Sequence, residues 1–233
     1  MSHLGMFAKH WQAGQVKTRL AASIGPSAAA DIYLVFLEHL VDTLDCCGDC
    51  RTVVFAPGDK LELFESQFGD AWDYQAQAKG DLGQRLSHFF QQSTRQAATQ
   101  GKSIVIGSDT PHLRPEVIPE VESLLEHYPV VLGPSQDGGY YLIAINTNVM
   151  PMKVDLFSEI PWSTDQVLQH TMNRLHNHGL QYHLLSEMLD VDDLAGLKNL
   201  FDELQGAANP MDLQLINRLR FVIAELPLQG LVE

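Results

Sequence analysis

Three short segments of this 233-residue chain combine residue types suited to phosphate chemistry: Lys9 to Arg19, Ser108-Asp109-Thr110-Pro111, and Gln136-Asp137-Gly138-Gly139. In the first, Gly14 lets a ligand approach the backbone closely, while Lys17 offers a point charge and Arg19 a planar fork for phosphate oxygens. The stretch contains no acid, so a diphosphate matches it; a solvated basic loop is the plainer reading of the same residues. Asp109 follows an apolar run directly. Its carboxylate would project from a sheet edge, where Mg²⁺ or Mn²⁺ bridging phosphates can sit, or it would cap the next helix. Asp137 before two glycines reads as a hairpin turn, with a second metal ligand or a general base for an attacking hydroxyl as the sharper alternative. Trp162, in Pro161-Trp162-Ser163-Thr164, is either a core residue beside a helix cap or a surface on which substrate stacks.

Two other clusters carry less. His170, His176, His178 and His183 lie on a polar helical stretch and its exit, without tight spacing for zinc. Cys46, Cys47 and Cys50 are odd in number and unlike a disulfide framework, so reduced thiols are the simplest reading.

The elements that must position these segments follow from periodicity. Leu4 to Ala8, Thr52 to Ala56, Ser103 to Gly107, Val130 to Leu132 and Tyr140 to Ile145 read as buried strands, with weaker strands at 72–76 and 181–185. Between them, Pro26 opens a helix whose apolar residues repeat at helical spacing until Gly48, and further helices are expected at 60–67, around Leu86 to Phe90, 115–127, 165–178, 194–204 and 211–224. Strands alternating with helices imply a mostly parallel sheet covered on both faces, and ligands bind such sheets beyond the carboxyl ends of the strands. The three segments, and a fourth at Leu189-Asp190-Val191-Asp192-Asp193, all fall at such ends.

Composition narrows the class. A hydrophobic fraction of 45% supports a sizeable core, and a formal net charge of −14 argues against nucleic-acid or membrane-surface binding. With no leader-like N-terminus and no apolar run of about 18 residues, the chain reads as cytoplasmic.

Taken in order, F-A-K, G-x-V-K-T-R-L, G-D-L-G-x-R, G-S-D-T-P-x-L, V-L-G-P-x-x-D-G-G-Y-Y-L-I and P-W-S-T resemble the bacterial GT-A-like transferases of the radical-SAM/selenodomain-associated or arsenosugar-biosynthesis glycosyltransferase type. The resemblance runs from about Leu4 to Leu200. It implies an α/β protein: a three-layer α/β/α, Rossmann-like GT-A (nucleotide-diphospho-sugar transferase) fold with a mostly parallel central sheet, distantly related to molybdenum-cofactor and deazaflavin nucleotidyltransferases. Residues 1–205 would form this domain; residues 206–233, outside the resemblance, read as a helical extension with a candidate homodimer surface.

Carried onto this chain, the resemblance implies that Phe7, Ala8, Lys9, Gly14, Lys17, Thr18 and Arg19 bind the nucleotide and its phosphates, completed by Gly80, Asp81, Gly83 and Arg85. Asp109 and Asp192 would hold Mg²⁺ or Mn²⁺. Gly138, Gly139, Tyr140 and Trp162 would shape the sugar or acceptor side, and Asp137, Lys17 and Arg19 would act in catalysis. Two departures stand out. Relatives often have A-P-x-x-G where this chain has Lys9 to Gly14, so His10 and Trp11 are expected to alter the loop's rigidity; relatives read D-x-D-T-P-x-D-L where Asp190 to Leu197 keeps the first two acids and ends with Gly196 in place of the third. The implied activity is transfer of a sugar from a nucleotide-sugar donor to a small-molecule acceptor. Nucleotidyl transfer with release of pyrophosphate is the alternative, and a non-catalytic nucleotide-binding module the third reading.

Overall fold

The computed structural model describes residues 2–93, 101–150, 154–205 and 209–224. Seven strands, β1 (Ser2–Lys9), β2 (Cys50–Ala56), β3 (Asp73–Ala76), β4 (Lys102–Ile106), β5 (Val130–Pro134), β6 (Tyr140–Asn146) and β7 (Tyr182–Leu184), form one sheet in the order β3-β2-β1-β4-β6-β5-β7. Every pairing is parallel except those of β6, which runs antiparallel to both β4 and β5. The chain winds outward from β1 to β3, then returns to place β4 on the other side of β1. That reversal makes a crevice at the carboxyl ends of β1 and β4.

Side chains alternate across each strand and so build two apolar layers. Leu4, Met6, Val53, Phe55, Ile104, Ile106, Leu142 and Ala144 face one layer. It is closed by α1 (Thr18–Ile24), α2 (Pro26–Thr43), α3 (Leu61–Phe68), α5 (Val117–Leu124), α7 (Leu194–Leu204) and α8 (Pro210–Ala224). Val54, Val105, Leu132, Ile143 and Ile145 face the opposite layer, under α4 (Leu82–Ser93) and α6 (Val167–Asn177). The result is the expected three-layer α/β/α arrangement.

Pro26 sits at the start of α2 after Gly25, whose φ of 91° breaks the chain away from α1. This first short helix is a difference from the sequence pattern, which shows only a loop before Pro26; seven residues are too few to display a helical period. α2 is buried over much of its circumference because α8 covers the side turned away from the sheet. On the other layer Gly5 has a packing role. A Cβ there would run into the Phe89 ring, so the glycine lets that ring lie against the sheet.

Among the described residues no helix is long and apolar enough to cross a membrane.

Beside Phe89, His3 is buried with both ring nitrogens occupied, Nδ1 2.7 Å from Ser93 Oγ and Nε2 2.8 Å from Thr52 Oγ1. Burial lowers its pKa to about 4, against a smaller opposing pull from Asp73. The folded state therefore resists protonation that the unfolded chain accepts from about pH 6.5 downward, and stability present above that pH is lost as pH falls towards 4. Between pH 7 and pH 5 a His3→Gln variant is expected to lose on the order of 1–2 kcal/mol less stability than the wild type, measured by urea unfolding. Parallel pH dependences would contradict this.

Candidate functional site

The crevice centres on Lys17. Its backbone is left-handed, with φ 45° and ψ 47°, an uncommon conformation for a residue with a Cβ. This turns the side chain inward at the start of α1 while Thr18 and Arg19 stay exposed. Only 3% of the Lys17 side chain is accessible, and Nζ lies 5.7 Å from the ring centres of both Tyr33 and Phe36. The ammonium donates to Asp109 Oδ1 at 2.5 Å and to Asp192 Oδ1 at 3.1 Å. Burial works against its charge, but the two carboxylates outweigh burial and raise its pKa. The structure thus pairs Lys17 with acids, where the sequence pattern suggests an open basic loop.

Backbone hydrogen bonds bring the acids together. Val191 N–H donates to the Asp109 carbonyl at 2.8 Å, and Leu20 N–H donates to the Asp192 carbonyl at 3.1 Å, so the loop after β4, the loop before α7 and the first turns of α1 form one unit. Asp190 lies in the same neighbourhood. Burial, then repulsion from Asp137 and Asp192, raises its pKa to about 6.

Two residues that the motifs do not include tie the strand ends. Tyr33, on α2, accepts from Lys9 N–H at 3.0 Å through its hydroxyl, which is also 2.8 Å from Ser108 Oγ, clamping the ends of β1 and β4 across the crevice. Gln77, just past β3, donates through Nε2 to the carbonyls of Ala8 and Val54. Its Oε1 accepts from Arg85 Nη1 at 3.1 Å, and Arg85 Nε donates to the Gly80 carbonyl at 2.9 Å. Tyr33 looks in sequence like one more apolar position of α2, and Gln77 like an ordinary loop residue. A polar group on a buried helix face, and one directly after a predicted strand, were the available signals.

The loop from His10 to Lys17 is anchored at both ends. Trp11 packs edge-on against Phe64 and Phe68, with ring centres 5.2 and 5.5 Å away, and stacks at a tilt on His10. Gly14 stands at the exposed tip with φ 80° and no atom near where a Cβ would project. Lys9 and Arg19 are exposed on either side. Phe7, by contrast, turns its ring to Phe89 in the core layer.

At the start of α4, Asp81 and Gln84 cap the helix reciprocally: Gln84 N–H donates to Asp81 Oδ1 and Asp81 N–H to Gln84 Oε1. Gly83 is packed so closely that a Cβ would strike the Phe157 carbonyl and the Trp162 indole. Trp162 in turn meets Tyr140 edge to face at 6.5 Å, which connects α4 to the hairpin between β5 and β6. In that hairpin Asp137 Oδ1 accepts from Ser135 Oγ at 2.5 Å and from Gly139 N–H at 2.8 Å. Gly138 has φ 85° and lies against the Asp165 backbone, while its carbonyl accepts from Leu168 N–H. The turn reading of Asp137 is therefore realised in its hydrogen bonds.

The donor set suits a hard divalent cation. Asp109 and Asp192 converge on one point, and both side chains remain about half exposed towards the crevice, at 50% and 40%. Mg²⁺ is commonly held by one or two carboxylates together with substrate phosphates, and Asp109 and Asp192 are the residues that could offer such a pair. Among the described residues no three His, Cys, Asp or Glu side chains gather as a metal set. An open groove of 1310 Å³ between α2 and α8, lined by residues such as Leu34, Phe68, Leu213 and Phe221, includes none of Lys9, Lys17, Arg19, Asp109, Asp137 and Asp192. The convergence of charged groups, not hollow volume, locates the site.

The fold is that of a nucleotide-diphospho-sugar transferase-like α/β protein. The chain belongs to the DUF2064 family, described as an uncharacterized protein conserved in bacteria, whose family model matches residues 40–164. That span includes Gly80, Asp109, Asp137 and Trp162. No curated protein matches the sequence. Among solved structures, a provisionally named nucleotide-diphospho-sugar transferase from Desulfovibrio desulfuricans G20 is similar over 96% of this chain and 98% of its own, with 27% identity and a TM-score of 0.85. A cytidylyltransferase from Leptospira borgpetersenii serovar Hardjo-bovis shares the fold at 10% identity, 96% coverage of each chain and a TM-score of 0.56. So does 4-diphosphocytidyl-2C-methyl-D-erythritol synthase from Anaerococcus prevotii DSM 20548, at 7% identity, with 88% of this chain and 99% of that one covered and a TM-score of 0.54.

Removing the Tyr33 hydroxyl would leave the Lys9 N–H and Ser108 without their shared partner. Tyr33→Phe is expected to lower stability by about 1–3 kcal/mol, read from the midpoint of a chemical denaturation curve. An unmoved midpoint would show that the clamp contributes nothing.

Proposed function

We propose that this protein is a nucleotide-diphospho-sugar-dependent glycosyltransferase acting on a small-molecule acceptor, with residues 1–205 as the transferase unit and 206–233 as its extension. The observation that carries this reading is the meeting of Asp109, Asp192 and Lys17 at the carboxyl ends of β1 and β4, beside exposed Lys9 and Arg19. Carboxylates able to hold a divalent ion next to basic side chains match a diphosphate that leaves with its charge neutralised. The Desulfovibrio relative, alike over nearly its whole length and provisionally named a nucleotide-diphospho-sugar transferase, supports a transferase that takes a nucleotide substrate.

In this reading the phosphates of the donor lie over the loop from Lys9 to Arg19. Exposed Lys9 and Arg19 attract them, and Gly14 leaves the loop tip open to their approach. Asp109 and Asp192 would hold Mg²⁺ or Mn²⁺, which when bound would neutralise charge developing on the leaving diphosphate. Gln77 and Arg85 keep the Gly80 segment against the end of β1, forming the donor's second wall. On the acceptor side the hairpin from Asp137 to Tyr140 and the Trp162 indole form the boundary, and Asp137, held by Ser135 and the Gly139 N–H, would accept a proton from the attacking hydroxyl.

Incubation with Mg²⁺ or Mn²⁺ and panels of nucleotide-sugars and nucleoside triphosphates, followed by melting-temperature shifts and phosphate analysis, tests this assignment. Release of a nucleoside diphosphate from a nucleotide-sugar is expected. Pyrophosphate release from a triphosphate, with no nucleotide-sugar bound, would replace it with nucleotidyl transfer. Asp109→Ala is expected to weaken metal-dependent nucleotide binding at least tenfold in calorimetry; unchanged affinity would remove Asp109 from metal binding.

A further inference from the structure

A positive charge already stands between the two acids assigned to the metal. Lys17 Nζ contacts the Oδ1 atoms of both Asp109 and Asp192, and its side chain is 3% exposed while theirs are 50% and 40% exposed. Behind the ammonium lie the rings of Tyr33 and Phe36, so it has no inward route of retreat. A divalent ion reaching for the same oxygens would come within a few ångströms of Nζ, where like charges repel strongly in so shielded a place. Outward, the case differs. Lys17 is the N-cap of a helix of only seven residues, is separated by buried Val16 from the exposed residues Gly14 and Gln15, and carries a flexible four-carbon stem. A phosphate arriving at the loop offers the ammonium another anionic partner on that side.

We propose that Lys17 is a built-in counter-ion that keeps a divalent ion out of the Asp109–Asp192 pair until a phosphate group draws the ammonium away. Metal and diphosphate then bind as a linked pair. By reciprocity the diphosphate raises metal affinity by the same factor as the metal raises diphosphate affinity. The inference deepens the reading of Asp109 and Asp192 as the metal-holding pair and rests on it.

The test measures Mn²⁺ binding to the full chain by the electron paramagnetic resonance signal of free Mn²⁺, without nucleotide. Lys17→Met should bind Mn²⁺ at least tenfold more tightly than the wild type, Lys17→Arg should stay as weak as the wild type, and Asp109→Ala in the Lys17→Met background should abolish the gain. Equal Mn²⁺ affinity of Lys17→Met and wild type, or a gain that survives Asp109→Ala, overturns the proposal. A second measurement needs no variant: Mn²⁺ alone should barely shift the wild-type melting temperature, whereas Mn²⁺ with ADP, CDP, GDP or UDP should shift it by more than the sum of the separate shifts. A full shift with Mn²⁺ alone also overturns it. If none of the four diphosphates binds with or without Mn²⁺, the proposed function falls, while the nucleotide-free comparison of Lys17→Met with wild type still decides the counter-ion role.

Discussion

The site depends on one buried cation and the two carboxylates that face it. Placing the Lys17 ammonium against Tyr33 and Phe36 is costly unless it is paired, and an unpaired buried charge would shift its pKa or open the structure. Asp109 and Asp192 supply the pairing from loops on different parts of the chain. The same contact therefore holds α1, the loop after β4 and the loop before α7 in register, and backbone hydrogen bonds among these segments reinforce it.

Around that centre the sheet acts as a frame. Parallel pairing of β1 with β2 and β4 brings their carboxyl ends to one edge, and side chains then fasten the ends to each other. Tyr33 spans β1 and the loop after β4; Gln77 spans β1, β2 and the start of α4. These bonds satisfy backbone groups at the ends of the ladders, where sheet pairing runs out. They also orient Arg85 and the Gly80 segment. Structural satisfaction and the shape of the crevice thus come from the same atoms.

Two glycines that look in sequence like ligand contacts are required by packing. Gly83 admits the Trp162 indole against α4, and Gly138 admits the Asp165 backbone against the hairpin. Asp81 and Asp137 likewise spend hydrogen bonds on a helix cap and a turn, the local alternatives their residue types suggest. A carboxylate oxygen can accept more than one bond, so a local role and a part in the site are compatible.

Much of the frame was legible from the residues alone, because strand alternation, Pro26 at a helix start and Asp-Gly-Gly at a hairpin report short-range constraints. The carboxyl-end positions of Asp109 and Asp137 were readable for the same reason. What the sequence by itself determined was therefore the layered α/β class, the order of its elements apart from the short α1, and the loops that lie at the carboxyl ends of the strands. Tertiary structure alone decided that Lys17 touches acids 92 and 175 positions away along the chain, that β6 lies between β5 and β4, and that Tyr33 and Gln77 close the strand ends. The physical reason is range: periodicity and turn chemistry act over a few residues, whereas pairing a buried charge depends on which distant loops the sheet brings to its edge.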